Sequence, residues 1–400
     1  MCLSLVTVFS IVGAFAQEKA NSQTVAYAYV GSSVSAQLDW SEGLITGFAV
    51  AADGTAQPIP GARIFGGIDG LTAASGFVYG AAQYGQVAIT YTPDQEGRLM
   101  VTSSVNVVCA IDPHCSPIYG PEIIYFNPDR SERVLNISVG CGSCNTELVP
   151  YVLKDDGSLS FLGSLQDNGA KDSGEAEFSP DNQWAYAEGY GGWNKYRREP
   201  NGTLTGPFDL TVPKPPAQQG VGLCLPDGFA PSSLGYTAVI WYAESYWCGE
   251  YDQSGYMLAT YTVDPSGNLD LVPDSGVIPE VQETKIAFDP NGKYLALAGS
   301  VGLDYEQAAV QVYRLQPGGK LASVGGPVIV PGIFNFTTVA WDSSNHVFAV
   351  QHCFPGYTCT RDASQTGLYI FNVSDNGVTL APGSPHVIEN PVEVAVLPVK

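Results

Sequence analysis

Three glutamates occupy matching places along the chain. Glu122, Glu175 and Glu283 each stand a few residues ahead of an aromatic that opens a turn, in Phe126-Asn-Pro-Asp129, Phe178-Ser-Pro-Asp181 and Phe288-Asp-Pro-Asn291. Carboxylates gathered at one point can do three things. They can act as general acid and base once burial raises a pKa, hold a hard cation such as calcium through oxygen ligands, or stay as solvated turn residues. A second group is cationic. Arg197 and Arg198 could grip a carboxylate with a bidentate guanidinium fork, although Arg197 aligns with Arg314 as a recurring framework position. A third runs from Trp241 to Tyr251, where five aromatics stand beside Glu244 and Glu250. Aromatic platforms flanked by acids can hold sugar rings, so Arg198, Trp241, Tyr246 and Trp247 are the candidate ligand contacts. The alternative is that Trp241 and Tyr242 finish a core strand. His114, His346, His352 and His386 have no second ligand at metal spacing and read as surface residues, so no metal site is assigned to them. There is no nucleophile elbow, HExxH helix or phosphate-binding loop.

The elements that must position these groups come from an internal repeat. Seven segments share a short apolar strand with a central aromatic and a Gly-bearing turn five or six residues later. The aromatics are Phe48, Tyr91, Tyr151, Tyr196, Tyr261, Tyr313 and Phe371. Alternating apolar residues running into a glycine turn are the mark of a β-hairpin. The other half of the unit is an apolar strand ending in aromatic-x-Pro-Asp/Asn, degenerate at Trp341-Asp-Ser-Ser344, with second strands at Val134–Val139, Trp184–Glu188, Tyr294–Ala298 and Val347–Gln351. Joined in order, the halves give four antiparallel strands per unit. Seven such units cannot each bury both faces alone, so they stack around an axis as an all-β, seven-bladed β-propeller. Val25–Val30 lacks an innermost partner and Val392–Val399 has no unit of its own, which predicts that the C-terminal strand closes the first blade and removes two exposed edges. Gln218–Ser233 and Gly61–Gly67 read as loop insertions.

The alternation of Phe-Asp-Pro-Asn-Gly-Lys-Tyr-Leu (288–295) with Val-Tyr-Arg-Leu-Gln-Pro-Gly-Gly-Lys-Leu (312–321) resembles the seven-bladed lactonase family, the propellers similar to bacterial 6-phosphogluconolactonase and fungal carboxymuconate cyclase. The resemblance implies the same fold and a lactone-handling activity. Relatives of that kind often carry Pro-His four residues ahead of the Phe of Phe-x-Pro-Asp. Here the corresponding positions hold Glu122, Gly174, Thr284 and Thr337, so a carboxylate replaces the imidazole as the candidate base.

Composition narrows the partners. With 17 Lys and Arg against 39 Asp and Glu, the formal charge is −22. Clustered cations, on which binding to nucleic acid or an anionic membrane depends, are scarce. Gly 45 and Pro 28 among 400 residues exclude a helical bundle. Residues 1–16 carry no charge and end in Ala14-Phe15-Ala16, the pattern of a cleaved leader with the mature chain starting near Gln17. That predicts a secreted or periplasmic protein, with residues 17–400 forming one propeller domain, no membrane span and a monomeric state. Outside the leader the cysteines fall into close pairs, Cys109 with Cys115, Cys141 with Cys144, Cys224 with Cys248 and Cys353 with Cys359, which in an oxidising compartment suggests four local disulfides. Cys141-Gly-Ser-Cys144 also has the spacing of a redox motif or half a zinc site. The expected activity is hydrolysis of a sugar-type lactone at the channel mouth, with Glu122, Glu175 or Glu283 as base. The competing expectation is a module that binds a carbohydrate or a protein without breaking a bond.

Overall fold

The computed structural model describes residues 23–34, 42–82, 86–107, 122–141, 147–163, 165–166, 176–189, 192–216, 225–243, 255–302, 307–351 and 363–399. They form seven antiparallel sheets, each with a core of four strands. From the axis outwards, blade 1 is built from Pro391–Pro398, Thr24–Ser33, Glu42–Ala51 and Ala56–Gly67, and blade 2 from Asp69–Ala74, Phe77–Ala82, Val87–Pro93 and Leu99–Asn106. Blade 3 runs Glu122–Pro128, Val134–Cys141, Glu147–Leu153 and Leu159–Phe161, and blade 4 runs Ala176–Phe178, Trp184–Gly189, Gly192–Arg198 and Leu204–Asp209. Blade 5 comprises Leu225–Pro231, Thr237–Ala243, Gly255–Val263 and Leu269–Leu271. Blade 6 comprises Gln282–Phe288, Tyr294–Val301, Gln307–Leu315 and Leu321–Ser323, and blade 7 Thr338–Trp341, His346–Val350, Gly367–Ser374 and Gly377–Leu380. The closure read from the sequence is present: the last strand pairs antiparallel with the first, Ala26 opposite Pro398 through Ser32 opposite Pro391.

All seven repeat aromatics lie on third strands, and all are buried. Side chains alternate across a strand, so each blade presents apolar residues on both faces, and the core is divided among the junctions. Among the described residues there is one hydrophobic cluster between each pair of successive blades, including one between blades 7 and 1 that joins Phe348 and Ile370 to Ala28, Phe48 and Val394. The turn glycines tie these junctions together. Gly267 of blade 5 has φ +82°, and a Cβ there would fall 2.3 Å from the indole of Trp184 in blade 4. Gly157 of blade 3 meets Phe77 of blade 2 in the same way, and Gly97 of blade 2 meets Tyr27 of blade 1. Glycine serves there for its positive φ and for the close approach it allows.

Two segments that read as loops are strands. Leu225–Pro231 is the innermost strand of blade 5, with a register shift between Pro226 and Gly228. Proline is tolerated because an innermost strand has a partner on one side only. Gly61–Gly67 belongs to the 12-residue outer strand Ala56–Gly67. A third correction concerns His346, which is buried, not on the surface: its Nδ1 lies 2.6 Å from Asp342 Oδ2. Asp342 is the turn carboxylate of blade 7 and also accepts the His346 N–H, so the imidazole fills a turn that lacks the usual proline.

Candidate functional site

The innermost strands of the seven blades form the wall of an axial channel. A cavity of about 300 Å³ lies on that axis and is lined from six blades. Its polar lining includes Thr72 of blade 2, Asn127 of blade 3, Glu177 of blade 4, Lys285 of blade 6, Thr337 beside blade 7 and Glu393 of blade 1. Trp341, Phe126 and Ile286 supply apolar wall. Blade 5 adds a charge through Asp227, on its innermost strand and in electrostatic contact with Lys285. Water reaches Asp227, but the surrounding protein removes enough of it to push the carboxyl above its ordinary value, with Lys285 partly offsetting the rise. At the end of the channel where the Pro-Asp turns lie, Arg130 leans inwards. Its backbone N–H donates to Asn182 Oδ1, and its guanidinium lies 3.4 Å from the Pro231 carbonyl. Arg130 is exposed, yet neighbouring protein displaces enough water to lower its pKa, and the charge of Glu177 acts the other way.

Two atoms beside this cavity stand out. Asn127 and Thr337 line the cavity, but Asn127 Oδ1 and Thr337 Oγ1 are turned away from its water-accessible space and have no hydrogen-bond partner among the described residues. Buried polar atoms are normally satisfied, so the pair is an exception packed beside the lumen and not a contact that the lumen presents to a ligand. Lysine and carboxylates around a polar lumen of this size can bind a small polar ring, take a proton from water and stabilise a developing negative charge.

The candidates read from the sequence are distributed as follows. Glu122 begins the innermost strand of blade 3 and Glu283 lies in that of blade 6, both towards the end away from the Pro-Asp turns. Their side chains, and the whole of Glu175, lie outside the described residues, as do Tyr246 and Trp247. Trp241 is buried between blades 4 and 5, where its Nε1–H donates to Tyr261 Oη at 2.9 Å. Arg198 joins blade 4 to blade 3 through Asp129 Oδ2 at 2.7 Å. With Arg197 and Trp184 it also borders an open groove of about 670 Å³ between blades 4 and 5, edged by Pro200 and Pro265. Cys141 ends a strand of blade 3, while Cys109, Cys115, Cys144, Cys224, Cys248, Cys353 and Cys359 lie outside the described residues, as does the leader. Among the described residues no group of three or more His, Cys, Asp or Glu is arranged to hold a metal ion, and no helix is long and apolar enough to cross a membrane.

Glu177, Asp227, Lys285 and Glu393 are the charged groups that reading the sequence missed. Glu177 and Glu393 had a signal, a charge inside an otherwise apolar strand, as in Val392-Glu-Val-Ala-Val396 and Ala176-Glu-Phe178, whereas Asp227 sits between Pro226 and Gly228 and Lys285 follows the polar Gln282-Glu-Thr284.

Comparison with known proteins places the fold. No protein-family model matches the chain, and no curated protein matches it in sequence. Among solved structures it is similar to the periplasmic gluconolactonase PpgL of Pseudomonas aeruginosa, with a TM-score of 0.62 and 17% identity over 94% of this chain and 100% of that one. A candidate 6-phosphogluconolactonase from Bacteroides fragilis gives 0.61 and 15% over 94% and 99%. Another from Bacteroides uniformis gives 0.59 and 16% over 94% and 100%. The chain therefore has the seven-bladed architecture of lactonase-like propellers.

Proposed function

We propose that this protein is an exported lactone hydrolase whose reaction takes place in the axial cavity. The observation that carries the reading is the juxtaposition of Asp227, on the innermost strand of blade 5, with Lys285, which lines the polar lumen. In the reaction, Asp227 accepts a proton from water as the water oxygen bonds to the lactone carbonyl carbon. Lys285 stabilises the oxyanion that develops. The tetrahedral intermediate collapses with cleavage of the ring C–O bond, the ring oxygen takes the proton back from Asp227, and a hydroxy acid leaves. Export is supported by the leader-like segment and the paired cysteines, and it fits a periplasmic neighbour of the same fold.

Asp227→Asn should lower kcat on an aldonolactone by about 100-fold or more and leave thermal stability unchanged or higher, because the variant no longer keeps a charge where burial disfavours it. The pH profile gives the sign. A base with a raised pKa places the acidic limb of kcat above the ordinary aspartate range, and Lys285→Met, by removing the cation that favours the ionised form, should move that limb further up. Glu122→Gln, measured alongside, separates the rim from the lumen. Unchanged turnover in Asp227→Asn, with an unshifted limb in Lys285→Met, would contradict the proposal.

A further inference from the structure

We infer that Asn201 is the acceptor of an N-linked glycan. The inference goes beyond the hydrolase reading and rests only on the export that accompanies it. The acceptor pattern Asn-x-Ser/Thr occurs at Asn136, Asn201, Asn335 and Asn372. It is used in chains that enter a glycosylating secretory pathway, and the attached sugar is bulky and needs solvent around it. The fold treats the four differently. Asn136 lies within the second strand of blade 3, opposite Asn127 and Pro150, and is fully enclosed. An interior packed at crystal-like density has no room for a saccharide there. Asn372, on the third strand of blade 7, donates from Nδ2 to the Asp53 carbonyl of blade 1 at 2.9 Å, and its Oδ1 is enclosed. Asn335 is half-buried beside the fully buried Phe336, with its Oδ1 enclosed as well.

Asn201 stands exposed at the tip of the hairpin between the third and fourth strands of blade 4. Its Oδ1 accepts the Thr203 N–H at 3.1 Å and the Thr203 hydroxyl at 2.7 Å, while its Nδ2 has no hydrogen-bond partner among the described residues. Two other blades show what this turn requires. Asp53-Gly-Thr55 in blade 1 and Asp156-Gly-Ser158 in blade 3 hold the same place. In each, one carboxylate oxygen accepts the backbone N–H two residues on, at 2.9 Å, and in blade 3 it also accepts the Ser158 hydroxyl at 2.6 Å. A carboxylate therefore serves the turn as well as an amide does. Blade 4 adds an amide nitrogen that the turn does not use, and that nitrogen is the atom a glycan occupies. Gly202, with φ +93°, packs the turn against Val134 and Leu162 of blade 3, so the acceptor stands on a fixed support. In the transfer, Nδ2 bonds to the anomeric carbon of a lipid-linked oligosaccharide pyrophosphate supplied by the host. The bond from that carbon to the pyrophosphate oxygen breaks, the pyrophosphate leaves with the electron pair, and Nδ2 gives up one proton to a base of the host transferase.

The test expresses the full chain in a eukaryotic secretory host, once behind its own residues 1–16 and once with those residues replaced by the host's secretion signal. The folded protein is deglycosylated with peptide N-glycosidase in heavy-oxygen water, and labelled positions are mapped by mass spectrometry. Asn201 should be labelled and Asn136 should not. Asn201→Asp, which gives blade 4 the residue that blades 1 and 3 carry, should remove the glycan and keep the melting temperature. Thr203→Ser, which preserves both the acceptor pattern and the hydroxyl, should keep the glycan. An unlabelled Asn201 behind the host's signal, or a labelled Asn136 in protein that melts cooperatively, would overturn the inference. Labelling of Asn201 behind the host's signal but not behind the native leader would support the assignment and count against export. A labelled Asn201 in protein that turns over no lactone would support it and count against the hydrolase reading.

Discussion

Deletion of residues 391–400 abolishes the cooperative fold, and circular dichroism with thermal melting reads the loss directly. The deleted segment supplies the innermost strand of blade 1, paired with Ala26 through Ser32 of Thr24–Ser33. It buries Val392, Val394, Ala395 and Leu397 in the clusters shared with blades 7 and 2. Burial of four such side chains is worth roughly 6–10 kcal/mol in total, which is comparable to the whole stability of an ordinary domain, about 5–15 kcal/mol. Removing the strand also exposes the inner edge of Thr24–Ser33 and opens the ring between two blades, so an aggregation-prone edge accompanies the loss of packing. A synthetic peptide covering the missing residues, added in trans, should recover part of the melting transition. A truncated chain that melts at the temperature of the intact protein would show that the ring closes elsewhere.

The second large effect is expected at Asp129. Its carboxylate is almost fully enclosed at the turn after the innermost strand of blade 3. One oxygen accepts the N–H groups of Arg133 and Val134, and the other accepts Ser131 Oγ, Asn182 Nδ2 and Arg198 Nη2. Asp129 thus fixes its own turn and joins blade 3 to blade 4. Asp129→Ala leaves these donors, and a guanidinium that is only 15% exposed, without an acceptor. Breaking such a pair on one side costs about 3–5 kcal/mol, which chemical denaturation resolves easily. Asp129→Asn should cost less, since it retains an acceptor for the backbone. Burial alone would raise the Asp129 pKa, but the donated hydrogen bonds outweigh it and hold the group below its ordinary value. The linkage follows from that direction: the stabilisation is present above the unfolded carboxyl pKa and is lost as pH falls through the folded one. Asp129→Ala should therefore flatten the acid limb of the stability profile. A loss below about 1 kcal/mol, the scale of an exposed ion pair, would mean that the junction does not depend on this carboxylate.

The repeat was legible because its determinants are local. An aromatic and a glycine five or six residues apart specify one hairpin, and Tyr151 with Gly157, or Tyr261 with Gly267, shows that pattern without reference to the rest of the chain. Closure was legible for a related reason, since a strand-like tail and a first unit short of one strand answer each other. The innermost strand of blade 5 was hidden by Pro226, Gly228 and Pro231, residues that mark a turn in most contexts and are admitted here because the inner edge faces the axis. His346 was misjudged because no sequence spacing reveals that Asp342, four residues earlier, draws it into the junction with blade 1.

The site was less legible than the fold for a geometric reason. Glu177, Asp227, Lys285 and Glu393 lie on four different blades, and only the completed ring makes them neighbours around one axis. Sequence pattern could place Glu122 and Glu283 on innermost strands, as the structure does. It could not distinguish the rim of those strands from the lumen further along. Trp241 shows the opposite error: an aromatic that looked available for a sugar face is used inside the blade 4 and blade 5 junction, with its N–H already donated to Tyr261.

The most direct measurement is a crystal structure of the mature chain soaked with 1,5-anhydroglucitol. Ordered density should lie on the axis, between the strands that carry Lys285 and Glu393 and beside the strand that carries Asp227. Ligand density in the groove between the Pro200 and Pro265 turns, or along the outer strands, with the axial cavity unchanged, would contradict the assignment of the working site to the centre of the ring.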